Sequence, residues 1–256
     1  MRIGIAQVRG QMDDPAANVS KAKMILNNTD VDLLIFPEMF ATGYDAKCGM
    51  YMKNLDALFM NKFNTNVTNK KCSVLFGCPL EENGKLYNCA VLTDGTKKQV
   101  YKKIHLDVNE KFSEKDVFTA GGEPMMFELG GLKFGVAIGN DALFGELFRW
   151  YAAKGVDMVI CISAVSVHVI GRYETILPAR CAENSMEMVF VNMVGPDPGF
   201  TMAGGSRYIS YDGEVSERCS DSSDVRLIKL DVDRIKAARE KRSFLKEIRK
   251  DIDWSV

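Results

Sequence analysis

The stretch LKFGVAIGNDALFGELFRWYAAKG (Leu132–Gly155) decides how the chain is built. Phe134–Ile138 is a short apolar run that reads as a buried strand. It breaks at Gly139 and Asn140. Over Leu147–Lys154 the apolar residues take helical spacing, and Gly155 follows as a natural C-terminal cap. A buried strand that feeds a helix through a tight turn is a building unit of α/β proteins. It also presents whatever stands at the turn to the positive end of the helix dipole, where a thiolate or oxyanion is stabilised. Position 139 has no side chain to present, and on the residues alone the glycine simply serves a tight turn.

Outward from this unit the same two periods alternate. Strand-like runs are Ile3–Val8, Leu33–Phe36, Ser73–Gly77, Ala90–Leu92, Met158–Ile162, Val189–Met193, Tyr208–Ser210 and Leu227–Leu230. Asp14 before Pro15 reads as an N-cap with proline at the first helical position, opening a helix to about Leu26. Leu55, Leu58, Phe59, Phe63 and Val67 are at helical spacing, as are Leu245, Ile248 and Ile252. Arg172–Asn184 is helical too, with Pro178 either starting or kinking it. Glu82–Asn83–Gly84, Asp94–Gly95 and Asp212–Gly213 follow strand-like sequence and read as turns. The pattern predicts mixed sheets with helices on one face, and two such sheets packed together use all the strands.

The 256 residues are 46% hydrophobic and 26% charged, the composition of ordinary globular proteins. With no repeat or Pro/Gly/Ser-rich linker, the expected organisation is one domain over residues 1–256. A formal net charge of −1 gives no footprint for nucleic acid, and Arg239–Lys250 mixes both signs like a solvated helix face. No apolar run approaches a membrane span, and the chain opens directly into strand-like RIGIAQV, so a cytoplasmic protein is expected. The seven cysteines are scattered without CxxC spacing and read as reduced, mostly buried thiols. Two histidines, His105 and His168, make a His-based metal site improbable.

Two further segments carry residues suited to chemistry. In LLIFPEMFATGY (Leu33–Tyr44) an apolar strand is followed by Glu38, on the connection leaving the sheet. Strand ends suit catalytic groups because the sheet fixes the backbone while the loop exposes the side chain. In QVYKKIHL (Gln99–Leu106) a short strand carries Lys102 and Lys103, whose side chains point to opposite faces. An inward lysine needs a carboxylate partner. Taken alone, the Glu38 segment reads first as a solvated glutamate, and for the lysine strand an outward pair is about as good a reading as an inward lysine.

Taken together and in this order, the segments resemble the nitrilase superfamily of carbon–nitrogen hydrolases. RIGIAQV looks like the first strand of that family, FPEMFATGY like its glutamate motif, and YKKIHL like its lysine motif. FSEKDVFTAG (Phe112–Gly121) is similar to the stretch with the second active-site glutamate, and LPARCAEN, FVNMVG and AGGSRYISYDGEV match later landmarks in order. The resemblance implies an α-β-β-α sandwich of two mixed sheets, a homodimer or larger assembly, and hydrolysis of small amides. It implies Glu38 as general base, Lys103 as catalytic lysine, Glu114 as the second glutamate and the backbone N–H of Asn140 in the oxyanion hole. A small amide or carboxylate is the implied ligand, and no metal, nucleotide or other cofactor is implied.

The chain departs from that family at the third motif. Where the pattern has cysteine, an aromatic and aspartate, this sequence has Gly139, Asn140 and Asp141. Val136–Ile138 before it and Asp141, Phe144 and Glu146 after it fix the alignment. Asn140, Leu143 and Gly145 depart too, as natural divergence does. Three outcomes follow: hydrolysis by a water that Glu38 activates, a pseudoenzyme that binds an amide-like or carboxylate ligand through Lys103, or a scaffold alone.

Overall fold

The computed structural model of the chain describes residues 1–12, 14–44, 72–108, 113–197, 199–241, 246–247, 249 and 251. The helical spacings at Leu55–Val67 and at Leu245, Ile248 and Ile252 lie outside these residues, as does Cys48.

One six-stranded sheet is formed by β1 (Arg2–Gln7), β2 (Leu33–Ile35), β3 (Ser73–Glu82), β4 (Lys85–Thr93), β5 (Lys98–Lys102) and β14 (Asp224–Lys229), in the order β14-β1-β2-β3-β4-β5. The β1–β2 and β2–β3 pairs are parallel and the others antiparallel. The second sheet holds β6 (Met126–Leu129), β7 (Leu132–Ile138), β8 (Met158–Ser163), β9 (Glu187–Asn192), β12 (Arg207–Ile209) and β13 (Val215–Ser216), in the order β13-β12-β9-β8-β7-β6. Its central β7–β8 and β8–β9 pairs are parallel. β10 (Val194–Asp197) and β11 (Phe200–Ala203) form a separate antiparallel ribbon.

The layers follow from the period of two along each strand. Ile3, Ile5, Leu33 and Ile35 point one way and meet Phe134, Val136, Ile138, Ile160 and Val189 of the other sheet in the central core. Their alternates, Leu34 and Phe36, point outward onto Val19, Ala22, Ile25 and Leu26 of helix α1 (Pro15–Asn28). On the second sheet Ala137, Val159, Cys161 and Phe190 point outward onto α2 (Gly145–Ala153) and α3 (Ile170–Asn184). Helix, sheet, sheet and helices thus stack as the α-β-β-α sandwich expected from the sequence.

Local signals hold where the chemistry is strong. Asp14 caps α1, its Oδ1 accepting the Ala17 N–H at 2.9 Å, a contact typical of a good N-cap. Gly155 takes φ +84° just past α2, and Pro178 lies inside α3 rather than at its start. A fourth helix, α4, covers Val232–Lys241. Other boundaries shift. The hairpin read as Ser73–Gly77 and Ala90–Leu92 runs on through polar residues to the Asn83–Gly84 turn, because pairing carries the strands beyond their apolar part. β6, β10, β11 and β13 went unread from the sequence; they are short and held by neighbours rather than by an apolar pattern. The break at Gly139 is a 3₁₀ turn, Gly139–Leu143, placed ahead of α2.

Two glycines let the future site close up. The chain leaving β2 folds back over β3, and a Cβ on Gly77 would stand 2.3 Å from the Met39 nitrogen and 2.5 Å from the Glu38 Cα. A Cβ on Gly121 would stand 2.3 Å from the Lys102 carbonyl oxygen. Both neighbours are backbone and yield only by moving the segments that carry Glu38 and Lys103. The Gly77→Ala substitution is therefore expected to cost about 1–3 kcal/mol of stability, as overpacked sites do. Urea unfolding checks this, and an unmoved midpoint would mean that the Glu38 loop shifts freely.

Candidate active site

β5 ends at Lys102, and the alternation of its side chains separates the two lysines. Lys102 turns outward to an ion pair with Glu82 and lies over the Tyr87 ring at 4.2 Å. Lys103 turns inward, where its Nζ stands 2.8 Å from Glu38 Oε1 and 2.8 Å from Glu114 Oε2. The expectation that one lysine faces solvent and the other a carboxylate is met. All three side chains are essentially sealed from water, at 2%, 3% and 0% exposure for Lys103, Glu38 and Glu114.

Every carboxylate oxygen in the cluster has a partner. Asn88 Nδ2, on β4, bridges Glu38 Oε1 at 2.7 Å and Glu114 Oε1 at 2.9 Å. The Ala164 N–H donates to Glu38 Oε2 at 2.9 Å. The Asp107 N–H donates to Glu114 Oε2 at 2.7 Å, and the Tyr44 hydroxyl to Glu114 Oε1 at 3.3 Å. Asn88 was missed from the sequence, although an amide inside the apolar run of β4 is the signal of a buried polar group with a task.

Two acids and one base leave the cluster one negative charge in excess. Burial pushes the Glu38 carboxyl above its ordinary range, and the neighbouring Glu114 charge adds to this against the opposing pull of Lys103 and Asn88. Burial alone would lower Lys103, but Glu114 and Glu38 outweigh it and hold the ammonium well above its usual value. Lys103 therefore stays a cation while Glu38 is the group poised to take a proton.

The 3₁₀ turn at the end of β7 closes the site. Gly139 has φ +46°, and a Cβ there would point between Glu38 Oε2 at 2.8 Å and Lys103 Nζ at 3.1 Å. Position 139 thus faces both groups that the sequence singled out. The Asn140 N–H lies in the first turn of this short helix, where backbone donors have no intrahelical partner. The Asn140 side chain turns to the Leu106 carbonyl at 3.4 Å.

Asp141 anchors the turn. Its buried carboxylate accepts the Tyr101 hydroxyl at 2.8 Å, the Ile138 N–H at 3.0 Å and the His105 N–H at 2.7 Å. His105 Nδ1 stands 3.0 Å from the same carboxylate, and the His105 ring stacks on Phe144 with centroids 3.7 Å apart. This network ties the segment carrying Lys103 to the turn carrying Gly139, a link that sequence spacing does not reveal.

The described cysteines Cys72, Cys78, Cys89, Cys161, Cys181 and Cys219 are all buried thiols. Burial pushes the Cys161 thiol up to about 12 and Cys181 well above its ordinary value, so neither is a ready nucleophile. Over the cluster opens a cavity of about 440 Å³, lined among others by Glu38, Lys103, Gly139, Tyr173, Phe200 and Met202. Among the described residues no group of three His, Cys, Asp or Glu side chains is placed to hold a metal ion. None of their helices is long and apolar enough to cross a membrane.

Residues 2–240 match the carbon–nitrogen hydrolase family. Among curated proteins, an (R)-stereoselective amidase of Pseudomonas sp. is 30% identical over 97% of this chain and 92% of its own length. A 2-oxoglutaramate amidase of Bacillus subtilis is 26% identical over 93% of each chain. A glutamine-dependent NAD(+) synthetase of Acinetobacter baylyi is 30% identical over 84% of this chain, which spans 41% of that protein. Among solved structures, an amidase from Nesterenkonia sp. superposes with a TM-score of 0.83 at 23% identity, covering 94% of each chain, a likeness of fold.

Removing the lysine tests the cluster. In Lys103→Met two carboxylates remain buried without their cation, expected to cost about 3–5 kcal/mol at neutral pH. Loss of the cation raises the folded-state pKa of Glu38, already above its ordinary value through burial, still further. Such groups stabilise the fold at acid pH and lose that contribution as pH rises through the folded value. The deficit of the variant should therefore shrink as pH falls. Urea unfolding across pH checks it, and a pH-independent deficit would contradict this account.

Proposed function

This chain belongs to the carbon–nitrogen hydrolase family, and from that premise we propose that its cavity binds and hydrolyses small amides. The single observation that carries the reading is the convergence of Glu38 and Lys103 on position 139 at the floor of the cavity. The amidases among its relatives lend support, as does a cysteine-to-alanine mutant of the Nesterenkonia amidase in complex with butyramide.

In this reading Gly139 stands where relatives of this family use a cysteine, and a water takes its place. Glu38 accepts a proton from the water as its oxygen bonds to the amide carbon. The oxyanion that forms is stabilised by the Lys103 ammonium and the Asn140 N–H. Glu38 then hands the proton to the leaving nitrogen, the C–N bond breaks, and a carboxylic acid and ammonia or an amine depart. Glu114 holds Lys103 charged and in place. The raised Glu38 carboxyl suits both proton transfers.

Without a covalent nucleophile the rate is low. In a hydrolytic triad, loss of the nucleophile costs on the order of 10⁶ in kcat, or roughly 8 kcal/mol of barrier. The missing side chain also favours a second reading, in which the chain is a pseudoenzyme that binds the amide at Lys103 without turnover. Ammonia release from small amides, with Glu38→Gln as the control, separates the two. Turnover that vanishes in the control supports hydrolysis; binding without ammonia supports the pseudoenzyme.

The same proposal takes residues 1–256 as one domain, because the family match runs through nearly the whole chain. It also takes the protein as a homodimer or larger assembly, which sedimentation would overturn by showing a monomer at micromolar concentration.

A further inference from the structure

A second cavity, of about 420 Å³, opens beside the same turn and shares no lining residue with the cavity over Glu38 and Lys103. Its wall comes from three segments: Ile104–Leu106, directly after Lys103; the short 3₁₀ helix Glu114–Asp116 with the residues that follow it; and Phe144, directly after the Gly139–Leu143 turn. The Phe144 ring is partly open to solvent, at 38% exposure, and is braced by the parallel ring of His105. His105 is held in turn, because its N–H and its Nδ1 both stand on the buried Asp141 carboxylate. The aromatic wall is therefore fixed before any ligand arrives. Leu106 and Phe118, both buried, extend it as apolar surface. The one full charge on the wall is Lys115, which is exposed and has no ion-pair partner among the described residues.

We propose that this second cavity binds a small aromatic carboxylate, its ring against Phe144, Phe118 and Leu106 and its carboxylate at Lys115. Such binding needs no amide at Lys103 and is independent of the hydrolysis proposed above. Concave sites for small molecules are mostly apolar, with a few polar groups that fix the orientation of the ligand. Here a flat ring buries apolar area against the wall and packs on the exposed part of Phe144 as aromatic pairs do. A lone ammonium on a flexible stem acts as a point charge, which suits a single carboxylate. An aliphatic acid leaves the aromatic wall in water, a neutral aromatic gives Lys115 no partner, and an aromatic amine meets Lys115 as a like charge. Because the His105–Phe144 stack is already in place, little ordering is spent on binding.

The two histidines of the chain report on the two cavities separately, since His105 lines the second and His168 the first. Proton NMR of their rings in the whole chain, with His168→Asn to assign the two signals, follows titration with phenylacetate, acetate and benzyl alcohol. Phenylacetate should move the His105 signal saturably and leave His168 in place. Acetate, which lacks the ring, should bind about tenfold or more weakly, as loss of a buried apolar group predicts. Benzyl alcohol, which lacks the charge, should bind about fivefold more weakly, the size of an exposed ion pair. Lys115→Ala should bring phenylacetate to the level of benzyl alcohol, and Phe144→Ala should weaken both aromatic probes. Melting temperatures of the variants report that they fold. A response at His168 with His105 unmoved would place the ligand in the first cavity and overturn the proposal. Acetate binding as tightly as phenylacetate, or an affinity unmoved by Lys115→Ala, would also overturn it. So would the absence of any saturable response at millimolar phenylacetate.

Discussion

Taking the Lys103 ammonium out of water costs several kcal/mol, as does each carboxylate buried beside it. The fold bears that cost only because Glu38, Glu114, Asn88, Ala164 and Asp107 arrive with fixed geometry and leave no carboxylate oxygen without a donor. They come from far apart in the chain, from the loop after β2, from β4, from the segment after β5 and from the loop after β8. The cluster therefore forms only when the two sheets are packed and in register. A slip of one residue in β5 would exchange Lys103 for Lys102 and turn the buried cation out to solvent.

That dependence explains features that look unrelated. Gly77 and Gly121 lie in different parts of the first sheet and its connections, yet both allow backbone to press against a segment carrying one member of the pair. Asp141 does on the other side what Asn88 does within the cluster. Asn88 spans two acids, whereas Asp141 collects donors from Tyr101, His105 and Ile138 and so locks the turn at Gly139 against the lysine segment. A half-satisfied buried network costs more than an apolar core, and here the carboxylate oxygens are all matched while the buried Asn88 Oδ1 has no partner among the described residues.

The sandwich was legible because its strands are apolar with period two and its helices are marked by chemistry, as Asp14–Pro15 and Gly155 show. The strands that escaped notice, such as β10 with Pro196 and the two-residue β13, are made by pairing with neighbours, which no local pattern records. Resemblance to a family singled out Glu38, Lys103 and Glu114, which the structure brings together in one buried cluster, while the residues alone left Glu38 and Lys103 open to a surface reading. Asn88 and the His105–Asp141 contact were not legible. Each depends on distances across the fold between residues whose types, taken singly, are ordinary.

The burial of the charged cluster beside Gly139 has an energetic consequence of its own. A surface ion pair contributes little and is lost easily by drift. A buried trio behaves differently, because replacing any one member strands the others at a cost of several kcal/mol. The buried trio of Glu38, Lys103 and Glu114 is therefore weaker support for catalysis than it looks, since stability alone holds it together. The cavity makes the stronger case. Stability does not require about 440 Å³ of open space above the cluster, nor a wall on which Asp107 and Arg172 stand without ion-pair partners among the described residues. A scaffold that needed only its fold gains from filling such a space with apolar side chains. An open cavity over the charged cluster is a feature that stability alone does not account for.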